Sequence, residues 1–322
     1  MSGVRHGTRP LLLAVPVVLF VAVFVAARLL GQESRGGQDV NPFADRQPLA
    51  TAGTAAAGAV PTVSGDDQRI LERLAAVPQA TWLTPEAHPV GQVGAFVAGL
   101  ADKGRATGRA PVLVVYGITD RDCSGGHSSG GLSPDDYRQW LERIAGSMGS
   151  DAVVVLEPDA LATAPECGRV DQRTALIRDA VAVLADATVY IDAGHSNWID
   201  PADMASMLSA AGVGDARGFS TNVAAYEPLD AEKSYAEALS AAVGGAHYVI
   251  DTGRNGAGSN GQWCNPAGRA LGREPGPGDG GRLDAYLWIK PPGESDGTCG
   301  GGPAAGVFWT ERALEMARAA GW

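Results

Sequence analysis

Three aspartates sit in short acidic motifs spread over most of the chain. The motifs are YGITDRDCSGGHSSGG (116–131, with Asp122), VVVLEPDALA (with Asp159) and LWIKPPGESDGTC (with Asp296). Each follows a run that reads as a buried strand: VLVVY, AVVVL and YLWIK. Asp is depleted inside strands, whereas the C-terminal end of a strand is where parallel α/β folds present reactive groups. Three carboxylates converging from distant segments point to acid–base chemistry. A carboxyl held among apolar neighbours, as Asp159 is in EPDALA, has its charged form disfavoured, which suits a general acid near neutral pH. Asp122 or Asp120, from the loop after the preceding strand, supplies a charge that raises its pKa further. The bland use of any one Asp is as an N-cap or turn former. Three at strand ends, with aromatic loops around them, outweigh it.

One carboxylic acid for a leaving oxygen, and a second carboxylate as nucleophile or as base for a water, is the set that glycoside hydrolysis needs. The aromatic content agrees. Seven tryptophans occur in 322 residues, several beside Gly, Asn and Asp in loops. Such a tryptophan stacks on the C–H face of a sugar ring while polar neighbours bind the hydroxyls, although core packing is the ordinary use of any single one. YIDAGHSNWI adds Asp192, His195 and Trp198 at one further strand end, which reads as a sugar subsite. There is no Gly-Xaa-Ser-Xaa-Gly elbow, no HExxH and no EF-hand loop, so serine hydrolysis and these metal chemistries are unsupported.

Strands alternating with helices must position these groups. Apolar runs predict strands at 111–116, 152–158, 188–194, 218–223, 247–251 and 285–290, with a short one near Thr81 and Trp82. Helical patterns occupy 66–77, 90–103, 134–148, 171–186, 200–212, 232–244 and the TERALEMARAAG segment. This alternation implies parallel βαβ units: a complete or incomplete barrel, with an open doubly wound sheet as the alternative. The first strand is not followed by GxGxxG, which disfavours a dinucleotide fold. Three long Gly-rich loops, 117–131, 252–282 and 291–306, all follow strand ends.

Residues 1–30 form a leader: Arg5, His6 and Arg9 precede an apolar run at 11–27, then Arg28. It reads as a cleaved signal peptide, with Val25-Ala26-Ala27 as the cleavage site, or as a retained membrane anchor. Either reading places the rest of the chain outside the membrane, secreted or tethered to its outer face. Residues 31–65 are Ala-, Gly-, Thr- and Pro-rich and read as a linker, leaving 66–322 as the catalytic body. The formal charge of −11 argues against nucleic acid as a partner, whose phosphates want Lys and Arg stripes. Cys123, Cys167, Cys264 and Cys299 all lie beyond the leader. In an oxidising compartment four cysteines suggest two disulfides, with three connectivities open. The absence of a CxxC pair and of His at ligand spacing argues against zinc.

Taken in order, QATWL, DRDC, LEPDALA, YIDAGHSNW, STNVAAY, DTGRNG, WCNPAGRALG and LWIKPPGESDG resemble glycoside hydrolase family six, a cellulase family of inverting β-1,4-glucanases. The resemblance runs from Gln79 to about the C-terminus. It implies a distorted, incomplete parallel (β/α) barrel with an active-site cleft at the C-terminal ends of the strands. It makes Asp159 the proton donor, Asp122 the carboxylate that raises the donor's pKa, and Asp296 the base, directly or through waters. Tyr116 and Ser128 match residues that hold the water and crowd the distorted sugar ring. Trp82, Trp198 and Trp263 match stacking platforms, and Asp192, His195, Asn222, Lys290 and Glu294 match polar sugar contacts. The implied disulfides are Cys123–Cys167 and Cys264–Cys299, and no metal or organic cofactor is implied.

Only seven residues separate Asp159 from Cys167, and 291–299 is also short. Both loops look trimmed against the tunnel-forming loops of chain-end enzymes in the family, so an open-cleft endoglucanase is expected, acting as a monomer on cellulose or related β-glucan. An exo-acting cellobiohydrolase and a catalytically silent glycan-binding protein are the alternatives. The linker leads only to the leader, which points to soluble or amorphous glucan. An anchored form would suit trimming of the producer's own β-glucan.

Overall fold

The computed structural model describes residues 1–3, 40–121 and 129–322. The apolar run at 11–27 lies outside the described residues. Among those described, no helix is long and apolar enough to cross a membrane. Eight strands form one sheet: β1 (Thr81–Leu83), β2 (Val112–Val115), β3 (Val153–Leu156), β4 (Thr188–Asp192), β5 (Gly218–Thr221), β6 (His247–Asp251), β7 (Gly276–Gly280) and β8 (Leu283–Leu287). Their order is β1-β2-β3-β4-β5-β6-β8-β7, and all neighbours are parallel except the β7–β8 pair. The intervening helices are α1 (Ala55–Ala59), α2 (Asp66–Ala76), α3 (Val90–Thr107), α4 (Pro134–Met148), α5 (Val170–Val183), α6 (Pro201–Ala210), α7 (Leu229–Ala242) and α8 (Thr310–Ala319).

Period-two patterning curls this sheet. Leu113, Val115, Val154, Leu156, Val189 and Ile191 share one core with helix residues such as Trp140, Ile177 and Leu239. Their alternate neighbours Val112, Val114, Val153, Val155, Tyr190, Val249, Ala285 and Leu287 form a second core that includes no residue of these helices. A sheet face whose strands pack on one another in this way is concave, as inside a barrel. The two ends of the parallel run approach each other: Ala80 N donates to Trp288 O at 2.9 Å, and Trp82 Nε1 to Ile289 O at 2.8 Å. The result is the expected distorted, incomplete α/β barrel.

Helix starts follow local chemistry. The Ser133 hydroxyl accepts from Asp136 N ahead of Pro134, and Asp200 accepts from Ala202 N ahead of Pro201.

Two expectations change. β7, GPGDG, lies within the stretch read as a loop at 252–282. It has no apolar pattern because it is a sheet edge, the position where a strand tolerates proline. The composition-based linker also ends earlier than Gly65. Phe43 (3% exposed), Leu49 and Ala56 are buried, Leu49 N donates to Ala110 O, and Thr54 caps α1. Isolated apolar anchors in Ala- and Gly-rich sequence carry no periodicity, so composition hides them.

Candidate active site

The chain leaves β3 through two residues with left-handed backbone, Glu157 (φ 50°) and Asp159 (φ 68°). Each costs of order 1–3 kcal/mol for a non-glycine residue and persists only where the surroundings over-determine it. Here they do. Glu157 N donates to Val115 O at 2.8 Å, and the buried Glu157 carboxylate accepts from Gly117 N (2.9 Å) and from the Tyr137 hydroxyl (2.9 Å). Asp159 N donates to Asp192 Oδ2 at 2.9 Å, while Asp159 O accepts from both the amide and the hydroxyl of Thr163. The Asp159 backbone is thus held on both sides, with its residue half-buried at the strand end.

Burial pushes the Glu157 carboxyl up to about 7, against the Gly117 and Ile118 amides, the Tyr137 hydroxyl and the charge of Arg121. Burial, and then the charge of Asp159, also push the Asp192 carboxyl well above the ordinary range, despite N–H donors from Asp159 and Gly194. Asp120 is turned away from this group, its carboxylate paired with Arg169.

Across the sheet, Asp296 follows β8. Its side chain is 8% exposed and accepts from Arg254 Nη1 (2.8 Å), the Tyr226 hydroxyl (3.1 Å) and Asn265 N (3.0 Å). Burial opposes ionisation, but the charges of Arg254 and Lys290 and the Asn265 amide outweigh it and hold the carboxyl below the usual carboxylate range. Asp251, buried at the end of β6, ties the strand ends together by accepting from Lys290 N, Gly253 N, Ile289 N and Ala224 N. Lys290 Nζ lies 3.5 Å from Glu294 and 5.2 Å from the centre of the Trp82 ring, which meets Tyr116 edge-on at 5.2 Å. Burial raises the Glu294 carboxyl against the opposing charges of Lys290 and Arg254.

The structure therefore brings Tyr116, Trp82, Lys290, Glu294 and Asp296 into one linked group, and Asp159 and Asp192 into another. Both stand on the C-terminal ends of parallel strands. His195 and Trp198 are half-buried beyond β4 with their rings 5.3 Å apart, and burial lowers the His195 pKa against the charge of Glu227, so the ring is neutral at neutral pH. Trp263 is 60% exposed.

Two residues expected as sugar contacts also support neighbouring backbone. Asn222 is fully buried, with its amide bonded to Asp251 O and Glu227 N. Asp192 is buried with its carboxylate bonded to the Asp159 and Gly194 amides and the Ser220 hydroxyl.

Asp122, Ser128 and Cys123 lie outside the described residues. Cys264 and Cys299 are disulfide-bonded with Cα atoms 6.1 Å apart, and Cys167 is also in a disulfide. Among the described residues no group of three or more His, Cys, Asp or Glu is placed to hold a metal ion. Sequence reasoning passed over Glu157, Tyr226, Asp251, Arg254 and Asn265. All five stand in quoted motifs, but a group that acts by holding another group's backbone leaves no spacing signal.

A curled parallel sheet whose strand ends carry opposed carboxylates among aromatic side chains places this chain among the α/β-barrel proteins with a strand-end site. Residues 40–320 match the model of glycosyl hydrolases family 6, and the chain belongs to that family. Endoglucanase A of Cellulomonas fimi is 45% identical over 262 residues, 80% of this chain and 58% of that protein. The chain thus spans little more than half of that relative's length. Endoglucanase 1 of Streptomyces halstedii is 40% identical over 258 residues, 76% of this chain and 79% of that protein. Among solved structures, the endoglucanase Cel6 of Mycobacterium tuberculosis, in complex with methyl-cellobiosyl-4-deoxy-4-thio-β-D-cellobioside, has a TM-score of 0.82 at 44% identity. That alignment covers 88% of this chain and 100% of the other.

Proposed function

We propose that the chain is an endo-β-1,4-glucanase that hydrolyses internal bonds of cellulose or a related β-glucan with inversion. The observation that carries the reading is the pair of strand-end carboxylates with opposed surroundings. Asp159 is half-buried and bonded through its amide to a second buried carboxylate, whereas Asp296 is clamped by Arg254 and held ionised. Asp296, held ionised, suits the base, and Asp159, beside the buried Asp192 carboxyl, suits the acid. Asp159 gives its proton to the glycosidic oxygen as the bond to C1 breaks. A water attacks C1 from the opposite face and its proton passes to Asp296, directly or through another water, leaving the α-anomer. The family resemblance makes Asp122 the carboxylate that raises the acid's pKa. Trp82, Trp198, Trp263, Tyr116, His195, Lys290 and Glu294 bind the glucan, and the family resemblance assigns Ser128 to holding the water. The relatives named above as endoglucanases, and the short connection from Asp159 to Cys167, support internal attack. The disulfides support export, as a secreted or outer-face protein.

Cellopentaose digested by the chain and followed by NMR is expected to show the α-anomer first; the β-anomer would overturn the mechanism. Asp159→Asn is expected to lower kcat by about 10²–10⁴ with oligosaccharide binding within a few-fold. Near wild-type turnover in that variant would remove the acid assignment.

A further inference from the structure

Asn265 follows Cys264 in the WCNP motif and is buried, with left-handed backbone (φ 46°). Among residues other than glycine, Asn and Asp tolerate that region best. Its contacts converge on one short segment. Asn265 N donates to Asp296 Oδ2 at 3.0 Å, and Asp296 N donates back to Asn265 Oδ1 at 2.9 Å. Its Nδ2 faces Ser295 Oγ (3.0 Å), Gly297 O (2.7 Å) and Cys299 O (3.0 Å). The Cys264–Cys299 bridge ties the same two segments one residue away. The segment is moulded around this amide: a Cβ on Gly302 would meet Asn265 Nδ2 at 2.4 Å.

Each carboxylate oxygen offers two acceptor positions. Oδ2 of Asp296 uses both, on the Tyr226 hydroxyl and the Asn265 amide, whereas Oδ1 uses one, on Arg254 Nη1. We propose that Asn265 is a positioning residue for the hydrolytic step: it locks Asp296 so that Oδ1 alone is free to take the proton from the attacking water. The inference rests on the base assignment above. The charged and titratable groups facing Asp296 are Arg254 beyond β6, Lys290 and Glu294 beyond β8, and Tyr226 beyond β5. Loss of the Asn265 clamp leaves those groups in place but loosens the amide donor that favours the ionised form.

Two variants test this. Asn265→Gly accepts the left-handed backbone and removes every side-chain bond, while Asn265→Asp keeps an acceptor for Asp296 N and removes the Nδ2 donors. Both are compared with wild type and Asp159→Asn on cellopentaose and on 2,4-dinitrophenyl β-cellotrioside, whose leaving group needs no acid. In both Asn265 variants kcat is expected to fall about ten- to hundredfold on either substrate, with KM within about twofold, as for misplacement of a reacting group. The acid limb of the kcat–pH profile is expected to move to higher pH. Asp159→Asn should recover on the activated substrate, which separates the two roles. An unmoved acid limb in a folded Asn265 variant, or wild-type kcat, overturns the inference; if Asn265→Gly fails to fold, Asn265→Asp decides. Wild type releasing the β-anomer would instead remove the proposed function, and this inference with it.

Discussion

At the residue scale, burial does most to set the chemistry. Asp159 was legible because EPDALA places a short acidic side chain after an unbroken apolar run. Glu157, two residues earlier, reads as the end of that run. Its donors, Gly117 and Tyr137, lie 40 and 20 residues away, so only the fold reveals a carboxylate buried among them. Its pH dependence has a definite sign. A carboxyl whose pKa is raised to about 7 from 4.5 binds more protons folded than unfolded between those values, so its contribution to stability is lost as pH rises through that window. Asp296, with its pKa lowered, acts oppositely, but in a window below 3.8. Glu157→Gln keeps an oxygen for the Gly117 amide and the Tyr137 hydroxyl and removes the titration. Urea unfolding at pH 4.5 and pH 8 is expected to show the variant gaining on wild type by up to about 3 kcal/mol at the higher pH. An equal difference at both values would show that Glu157 does not titrate with folding.

At the element scale, most of the barrel was readable from apolar periodicity. The predicted helix at 134–148 matches Pro134–Met148, because Ser-Pro-Asp-Asp supplies both a cap and a first turn. The last strand was placed two residues late. LWIK is buried throughout, but β8 pairs with β6 only as far as Leu287, and the chain then turns to meet β1. Periodicity reports burial, not which neighbour supplies the hydrogen bonds. The Gly-rich segment after β8 was read as a loop, and its order comes from Asn265, the Glu294–Phe308 bridge and the Cys264–Cys299 disulfide, all long-range. Replacing Cys264 and Cys299 together by Ser is expected to lower stability by about 2–4 kcal/mol, the range for a native cross-link closing a loop of this length. The barrel core would survive, since neither cysteine belongs to the two apolar clusters of the sheet. Unchanged urea midpoints would show that Asn265 and its neighbours hold the segment unaided.

At the scale of the whole molecule, the question is what completes a sheet that is not a closed ladder. The strand order ends at β1 on one side and at antiparallel β7 on the other, so the interior needs cover beyond the strands themselves. Part of that cover comes from residues 40–54. Phe43 joins the inner apolar cluster beside Ala110, Val112 and Ala285; Asn41 Nδ2 donates to Asp284 O; and Gln47 and Leu49 exchange backbone hydrogen bonds with Ala110. Ala110 lies two residues before β2 and Asp284 near the start of β8, so this segment seals the N-terminal ends of the strands, opposite the carboxylates. Stability and chemistry are thereby assigned to different faces, as in other α/β barrels. Phe43→Ala should cost about 3–5 kcal/mol, the usual penalty for emptying a buried aromatic site. A chain beginning at Asp66 should lose at least as much, because it forfeits the Ala110 hydrogen bonds as well. In Phe43→Ala, kcat on cellopentaose at temperatures well below unfolding is expected to stay within about twofold of wild type. A large loss of kcat without loss of stability would show instead that the plug holds the strand ends in register for catalysis, coupling the two faces that the structure otherwise keeps apart.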